Sequence, residues 1–364
     1  MSPPSPRHIA RGSNLAPPNR FEAVHGEADY EQLAADDELL ADERRTPTVF
    51  LPDRAASLIR ENDSPDIAFR YSINPYRGCE HGCAYCYARP THETLGMNAG
   101  LDFETKILVK HDAAAILRKE LNRPTWQAEP IVIAGVTDCY QPAERQFKLT
   151  RGLLEVLLEA RQPAAIITKN SLVLRDLDLL AEMARRNLVG VALSITTLDA
   201  ELARTLEPRT ATPAARLRAI CELSAAGVPV RVMTAPIIPG LNDAEIAPLL
   251  QAAAAAGARS AGYVMLRLPL AVAPVFRAWL REHRPLAADK VEGLIRELRG
   301  GQLNDSAWGA RMRGTGPYAD GIAASFRLFA RKHGLDLESP PLDRSQFRPP
   351  RLDTAQRTLF DALD

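Results

Sequence analysis

The chain has little of what would direct it to a membrane or to a polyanion. Its 364 residues contain no uninterrupted apolar run of about 18 residues, the length that a membrane-spanning helix needs. Lysine plus arginine and aspartate plus glutamate number 45 each, so the formal net charge is zero. Because the chain has no overall positive field, binding to nucleic acid would need a local basic patch.

Cysteine is scarce too, and we expect no export signal. The opening run, M-S-P-P-S-P-R-H-I-A-R-G, lacks the apolar core of a signal peptide. Five cysteines in a chain of this length do not make the dense framework of a small secreted protein. We therefore expect a cytoplasmic protein with reduced thiols and no membrane association.

Three of the five cysteines lie close together. Cys79, Cys83 and Cys86 occur in the run N-P-Y-R-G-C-E-H-G-C-A-Y-C-Y-A, with the spacing CxxxCxxC. Three thiolates on so short a loop can hold three irons of a 4Fe-4S cluster, which leaves the fourth iron without a cysteine from this loop. Gly78 and Gly82 would let the backbone bend tightly and approach the cluster. The spacing therefore indicates an iron that is open to a further ligand.

A structural zinc site is the alternative. Such sites usually pair two cysteines with a second pair of Cys or His ligands to close a tetrahedron. The remaining cysteines, Cys139 and Cys221, are solitary, while His81 and His92 are near enough in sequence to be considered as a fourth ligand. This alternative predicts a non-catalytic iron-sulfur or zinc protein, a sensor or a scaffold.

The cysteine loop, with Tyr85 directly before its third cysteine, resembles the signature of the radical SAM superfamily. Tyr87 extends the motif to C-x-Y-C-Y, which is similar to the spore photoproduct lyase branch. The resemblance implies a 4Fe-4S cluster and S-adenosylmethionine (SAM), which the reduced cluster cleaves to methionine and a 5′-deoxyadenosyl radical. It further implies hydrogen abstraction from a substrate and an electron donor such as flavodoxin or ferredoxin. One substrate hypothesis is DNA, for repair or modification; the other is an unrelated organic or peptide molecule.

The pattern after residue 65 predicts an α/β fold. Short β-branched runs alternate with longer helical patterns, which is typical of βαβ units and a parallel sheet. The predicted strands cover residues 68–73, 130–135, 165–168, 189–196, 228–234 and 262–268. The predicted helices that follow them cover residues 113–122, 150–160, 174–186, 213–226 and 243–256. Six units predict a partial (β/α)6 TIM-type barrel, the fold that the resemblance also implies, with the cysteine loop at its catalytic face.

We predict three segments along the chain. Residues 1–65 form an extended arm, partly disordered, with at most one short helix near residues 30–42; alternatively, the arm drapes over the domain. Residues 66–270 form the partial barrel. Residues 271–364 contribute helices, a Gly-rich loop and an extended tail that ends in a short amphipathic piece.

The resemblance places the contacts with SAM at the ends of the predicted strands. Tyr85 is expected near the adenine. Lys169, in I-I-T-K-N, is a candidate for the SAM carboxylate, and it is one of only 7 lysines against 38 arginines. Candidates after the second strand, near the SAM amino group, are Gly135, Thr137 and Asp138.

The later strands supply the other candidates. Ser194 and Thr196 lie on the same side of the fourth strand by period-two alternation, and they suit the ribose hydroxyls. Arg209, in L-E-P-R-T, could contact the SAM carboxylate or pair with Glu207. The segment A-P-I-I-P-G-L-N-D is similar to an adenine-binding motif of the superfamily, with Ile238 and Gly240 in the matching places.

Cys139 and Tyr87 are the candidate catalytic residues. In the lyase branch a cysteine near the end of strand two returns a hydrogen atom to the product radical, and Cys139 lies in that region. The motif match places Gly135 at the family's cysteine position, however, so Cys139 could equally be a buried thiol. Tyr87 could likewise serve only in packing. Cys221, inside a helical pattern, is expected in the core.

Arginines near the end of the sixth strand are candidate substrate contacts. Arg267 ends that strand, and Arg311 and Arg313 lie in R-M-R-G-T-G-P-Y-A-D. Arg311 and Arg313 could hold a phosphate or carboxylate in bidentate fashion, while Gly314 and Gly316 would let a backbone come close. The alternative is an exposed surface loop.

Overall fold

The computed structural model describes residues 11–13, 15–22, 47–337 and 341–352. The strands in these residues are β1 (Val49–Pro52), β2 (Arg60–Glu61), β3 (Tyr71–Ile73), β4 (Tyr76–Arg77), β5 (Lys106–Val109), β6 (Ile131–Ile133), β7 (Ala164–Thr168), β8 (Val189–Ser194), β9 (Val230–Ile237) and β10 (Ser260–Met265). The α-helices are α1 (Leu101–Thr105), α2 (Ala113–Leu121), α3 (Glu144–Phe147), α4 (Leu149–Glu159), α5 (Leu177–Arg185), α6 (Ala200–Leu206), α7 (Pro213–Ala225), α8 (Ile246–Ala255), α9 (Val272–His283), α10 (Ala288–Glu297), α11 (Ala310–Arg313) and α12 (Pro317–Lys332). Short 3-10 helices cover Arg89–Thr91, Glu93–Leu95, Ser171–Asp176, Asp243–Glu245 and Pro285–Ala287.

Six parallel strands form the centre of the fold. β3, β6, β7, β8, β9 and β10 lie side by side in chain order, and β2 adds an antiparallel edge to β3. A second sheet contains β1, β5 and β4, with β5 between the other two. The large sheet is open, since its described end strands, β2 and β10, do not pair with each other. The predicted partial barrel is confirmed.

The strands form at the predicted places because their side chains alternate between the core and a more open face. Along β9, Val230, Val232 and Thr234 are buried, whereas Arg231 is exposed. Residues of the strands share one apolar core with residues of the helices, for example Val232 with Leu157 of α4. β-branched residues suit this half-buried surface.

The five helices predicted between strands are confirmed within a few residues, as α2, α4, α5, α7 and α8. α7 begins as its capping residues indicate, since the Thr212 hydroxyl accepts a hydrogen bond from the Ala215 amide and Pro213 follows the cap. Sequence analysis missed α6 and α12. α12 begins at Pro317 within G-T-G-P-Y-A-D, a run that resembles a turn although proline also suits a first helical turn.

The carboxyl ends of the six parallel strands meet at one edge of the sheet, where active sites of such folds lie. The cysteine loop, residues 79–86, follows β3 and the short β4. The segments that follow the other strands at this edge are residues 134–141, 169–170, 195–199, 238–242 and 266–268. The fold therefore gathers the predicted site residues on one face.

Parts of the predicted arm and tail belong to the folded domain. β1 and β2 pair within the two sheets, and the Arg348 amide donates to the Ala160 carbonyl at 2.9 Å. The predicted helix near residues 30–42 and the final amphipathic piece lie outside the described residues. The segment boundaries after residues 65 and 270 stay a prediction. None of the described helices is both long and apolar enough to cross a membrane.

Cys221 is exposed, so the prediction that it lies in the core is wrong. α7 buries Ala219, Ile220 and Leu223, and Cys221 falls on the opposite face. A helical pattern predicted the element correctly but assigned this residue to the wrong side of it.

Candidate active site around the cysteine loop

The three cysteines carry free thiols on one loop. Cys79 and Cys83 are buried and Cys86 is partly exposed. Burial, together with the Glu207 carboxylate, raises the pKa of Cys83 well above its usual range. Burial and the neighbouring Cys79 raise the pKa of Cys86 to about 11. The thiolate forms therefore need a positive partner, which a metal centre supplies.

The loop shape fits a bulky metal cluster. Gly78 and Gly82 have φ angles of 79° and 66°, which side chains rarely adopt. A Cβ on Gly82 would lie 2.7 Å from Glu104 Oε2, so the loop needs glycine there. In the part of the chain that the structure describes, no three His, Cys, Asp or Glu side chains converge on a single ion. The three free thiols on this one glycine-bent loop match the three irons that such a loop can hold in a 4Fe-4S cluster.

The two histidines considered as zinc ligands have other contacts. His81 is buried, with Nδ1 3.4 Å from Asp138 Oδ2 and Nε2 3.1 Å from the Asn170 side-chain amide. The Nε2 atom of His92 lies 2.9 Å from the Lys106 carbonyl oxygen. His81 thus has a contact at each ring nitrogen, whereas His92 has one at Nε2 and its buried Nδ1 has no hydrogen-bond partner among the described residues.

One side of the cysteine loop, which we call the rear side, rests on a buried ion pair between Arg89 and Glu104. Both side chains are fully buried, and Arg89 Nη2 lies 2.6 Å from Glu104 Oε1. Nε and Nη2 of Arg89 also donate to the Cys83 carbonyl at 3.1 and 2.9 Å. Nη1 donates to the carbonyls of Ala99 and Gly100. Since each guanidinium nitrogen has an acceptor, the pair fixes the backbone of Cys83.

Residues 11–13 complete the rear side. The Gly12 amide donates to Glu104 Oε2 at 2.8 Å, and Arg11 Nη1 donates to the Glu104 carbonyl at 3.1 Å. A Cβ on Gly12 would lie 1.4 Å from the carbonyl oxygen of Gly82. This segment therefore lies directly on the backbone of the cysteine loop, and only glycine fits at its point of contact.

A second part of the site, which we call the open side, carries Tyr87, Lys169 and Arg267. The Tyr87 hydroxyl donates to the carbonyl of Gly135, and the ring is 49% exposed. The Lys169 ammonium lies 5.9 Å from the centroid of the Tyr85 ring, and it lowers the pKa of both Cys83 and Cys86 against the larger effect of burial. It forms no hydrogen bond or ion pair with any described residue. The open side thus presents a cation and an aromatic ring to whatever binds the loop.

A buried network positions Tyr85. Its hydroxyl donates to Glu207, which also accepts from the Thr196 hydroxyl at 2.6 Å. Arg216 pairs with the other oxygen of Glu207. Burial opposes the charge of Glu207, but Arg216 and then Lys169 hold its pKa below its usual range. The carboxylate therefore stays charged and holds Tyr85 in place.

Arg209 does not pair with Glu207, which was one of the two alternatives. Its Nη2 lies 3.2 Å from Glu80 Oε1. The partner of Glu207 is Arg216 instead, nine residues along the chain. The predicted contact of Arg209 with the SAM carboxylate stays a prediction.

The residues after β6 mostly bond to other protein groups. Asp138 accepts from the Thr168 hydroxyl and from the Lys169 amide, both at 2.7 Å. The Thr137 hydroxyl donates to the Tyr76 carbonyl at 3.1 Å. These contacts join the loops after β4, β6 and β7. Their predicted contacts with SAM remain untested.

Cys139 has the surroundings of a core thiol. It is fully buried within the main apolar core, and its Sγ lies 3.9 Å from the Ile133 carbonyl oxygen. Burial raises the pKa of this thiol well above its usual range. The predicted role of Cys139 as a hydrogen-atom donor stays a prediction. Its position in the core fits the alternative, an ordinary buried thiol.

The ends of β8 and β9 are joined by Asn242, which sequence analysis missed. Its side chain accepts from the Ile238 amide at 2.6 Å and donates to the Thr196 carbonyl at 2.8 Å. Ser194 and Ile238 are buried at this edge, and Gly240 has a φ angle of 73°. The predicted SAM residues of these two strands therefore lie together at one fixed corner.

Sequence analysis also missed Arg89, Glu104 and Gly12, because their contacts join residues that are distant in the sequence. Arg89 and Glu104 are 15 residues apart, and Gly12 lies 92 residues from Glu104. The one local signal was the position of Arg89, three residues after the last cysteine of the motif. No periodicity marks Gly12 as a contact residue.

Comparisons with known proteins agree with this arrangement. Residues 73–253 match the sequence model of the Radical SAM superfamily. An uncharacterized protein of Mycobacterium tuberculosis is 42% identical over 232 residues, which are 63% of this chain and 68% of that protein. An uncharacterized protein of Methanocaldococcus jannaschii is 32% identical over 176 residues, 48% of this chain and 63% of that protein. A variant of spore photoproduct lyase matches with a TM-score of 0.58 and 18% identity, over 86% of this chain and 85% of that one; at this identity the likeness concerns the fold.

Proposed function

This chain belongs to the radical SAM superfamily, and we propose that it abstracts a hydrogen atom from a substrate bound on the open side of the cysteine loop. It is a radical SAM enzyme that uses a 4Fe-4S cluster and SAM. One observation carries the proposal about the open side. The Lys169 ammonium lies beside the Tyr85 ring without a hydrogen bond or ion pair to the described residues, whereas the charges of the rear side are paired.

Cys79, Cys83 and Cys86 would hold the cluster. When bound and reduced by one electron, the cluster and SAM supply methionine and a 5′-deoxyadenosyl radical, which takes a hydrogen atom from the substrate to give 5′-deoxyadenosine and a substrate radical. The enzyme needs an external reductant. We assign that role to a small donor such as flavodoxin or ferredoxin, in a reducing cytoplasm where free thiols persist.

The residues of the chain would bind and orient SAM. Lys169 supplies the positive charge that suits a carboxylate. Tyr85 is held by Glu207, which supports its proposed place near the adenine. The Thr196 hydroxyl already donates to Glu207, so Ser194 is the better candidate for a ribose hydroxyl. Tyr87, anchored on Gly135, would stand between the loop and the substrate.

A nucleic-acid substrate is a second candidate. A variant of spore photoproduct lyase with a similar fold has bound AdoMet and dinucleoside spore photoproduct. In this chain Arg311 stacks 4.1 Å from the ring centroid of Trp308, which is 58% exposed, and exposed aromatic rings beside arginine suit unpaired bases. Label transfer from irradiated, isotopically labelled DNA into 5′-deoxyadenosine would support this candidate. Transfer only from peptides or small organic molecules would remove it.

Anaerobic reconstitution tests the proposal. Wild type should bind about four irons per chain and release 5′-deoxyadenosine from SAM after reduction. Cys221→Ala is the matched control, because its thiol is exposed on α7, and it should behave as wild type. Cys83→Ala should lose both the cluster and SAM cleavage. Full iron content and cleavage in Cys83→Ala, or one zinc and no cleavage in wild type, would contradict the proposal.

A further inference from the structure

We propose that the guanidinium of Arg267 binds an anionic group of the substrate, a carboxylate or a phosphate, beside Tyr87. This inference rests on the proposed function, because it adds a substrate contact to the same open side.

Arg267 stands at the catalytic edge of the sheet. It follows β10 by two residues, and the Leu266 amide before it still donates to the Ile237 carbonyl of β9 at 2.9 Å. The guanidinium carbon lies 5.5 Å from the centroid of the Tyr87 ring. Since Tyr87 directly follows Cys86, a group bound by Arg267 would lie next to the cysteine loop.

The guanidinium has no oxygen acceptor in the described part of the chain. Its Nε is buried without a hydrogen-bond partner. Nη1 lies 3.5 Å from the Met312 sulfur, which is only a weak acceptor. A partly buried cation without a counter-ion is unfavourable, and a carboxylate or phosphate would satisfy its donors in bidentate fashion.

Asp66, the carboxylate whose charge favours the protonated form of Arg267, is paired with another arginine. Asp66 accepts from Arg311 Nε at 2.5 Å and from the Gly309 amide at 2.7 Å. Burial, and next the Arg311 charge, lower the pKa of Arg267, while Asp66 has a smaller opposing effect. Asp66 therefore neutralises Arg311 and leaves Arg267 with excess positive charge.

The neighbouring arginines are less suited to the role that their spacing predicted. Arg311 is occupied by Asp66, Ser64 and Trp308. Arg313 is exposed and lies over the Tyr263 ring at 4.2 Å, where water can satisfy its donors. The structure thus selects Arg267 rather than Arg311 or Arg313.

Titration calorimetry on the reconstituted full chain tests this inference, with inorganic phosphate and acetate as separate probes. We expect saturable one-site binding of at least one probe to wild type, and a loss of about tenfold or more in affinity in Arg267→Gln, as for a removed charge-assisted contact. Arg267→Lys should retain part of the affinity. Arg313→Gln, the matched control, should bind within about twofold of wild type. Phosphate binding alone indicates a phosphorylated substrate, and acetate binding alone indicates a carboxylic acid.

Two results would overturn the inference: no binding of either probe to wild type, or equal binding in Arg267→Gln. Thermal unfolding separates a binding role from a structural one, because replacing an unpaired cation should leave the Tm unchanged or raise it, whereas a structural arginine would lower it when removed. Anion binding needs no turnover. A wild type that binds the probe but releases no 5′-deoxyadenosine therefore contradicts the proposed function and leaves this inference standing.

Discussion

The two sides of the cysteine loop differ in how their charges are neutralised. On the rear side, Arg89 and Glu104 pair with each other, and both also bond to backbone groups. On the open side, Lys169 and Arg267 have no carboxylate partner in an ion pair with the described residues. Because a partly buried charge without a counter-ion is unfavourable, a folded protein retains such cations where a ligand supplies the opposite charge. The rear side is therefore the scaffold of the loop, and the open side is its binding surface.

Breaking the rear side should give the largest effect. Arg89→Met leaves the Glu104 carboxylate buried without its partner, and we expect the free energy of unfolding to fall by about 3–5 kcal/mol. Urea unfolding of the cluster-free protein measures the change. The double variant Arg89→Met/Glu104→Leu should recover part of it, since both charges are then gone. An unfolding midpoint like that of wild type in Arg89→Met would show that the pair is not a scaffold.

Disrupting the contact of Gly12 with the cysteine loop should give the next largest loss of stability. In Gly12→Ala, the new Cβ meets the Gly82 carbonyl, so residues 11–13 must leave the loop. We expect faster trypsin cleavage after Arg11 and a loss of about 1–3 kcal/mol of stability. Gly321→Ala is the control, because a Cβ there meets nothing within 4 Å and alanine favours the helix α12. Equal cleavage rates in wild type and Gly12→Ala would refute the contact.

Substitutions on the open side should change ligand affinity rather than stability. Lys169→Met removes a charge that has no ion-pair partner among the described residues, so we expect the Tm to change little and the affinity for SAM to fall about tenfold or more. Equilibrium binding to the reconstituted protein measures this, with the exposed Lys290→Gln as the control. A lower Tm with unchanged SAM affinity would show that Lys169 stabilises the fold and does not bind SAM.

Replacing Cys139 should have the smallest effect on SAM cleavage. Its buried position leads us to expect that Cys139→Ala keeps 5′-deoxyadenosine release and loses about 1–2 kcal/mol of stability, as for a small deletion in a core. Unfolding and cleavage assays measure the two quantities. Unchanged stability together with loss of substrate turnover would instead favour the hydrogen-donor role.

Local patterns in the sequence were sufficient to predict the strands of the large sheet and to identify the cysteine motif. The six parallel strands follow from β-branched runs, and α7 follows from Thr212 and Pro213 as a helix start. Both signals lie within a few residues of the element that they predict. The same local reasoning brought Lys169 and Tyr85 to one edge, because the carboxyl ends of parallel strands meet there.

Pairings between distant residues could not be predicted in this way. Pairing with Glu207 was one of two alternatives for its near neighbour Arg209, but helix α7 carries Arg216 to that carboxylate. Arg311 and Arg313 suggested an anion site by spacing, but Arg311 pairs with Asp66 and Arg313 is exposed over the Tyr263 ring, which leaves Arg267 as the candidate. Such choices depend on tertiary packing, which a single sequence does not record.

The most direct test of the account is electron paramagnetic resonance of the reduced, reconstituted cluster before and after addition of SAM. The account predicts a signal of a reduced 4Fe-4S cluster that changes when SAM is added, because Cys79, Cys83 and Cys86 would hold only three of its four irons. Identical spectra with and without SAM, at concentrations that saturate binding, would contradict it.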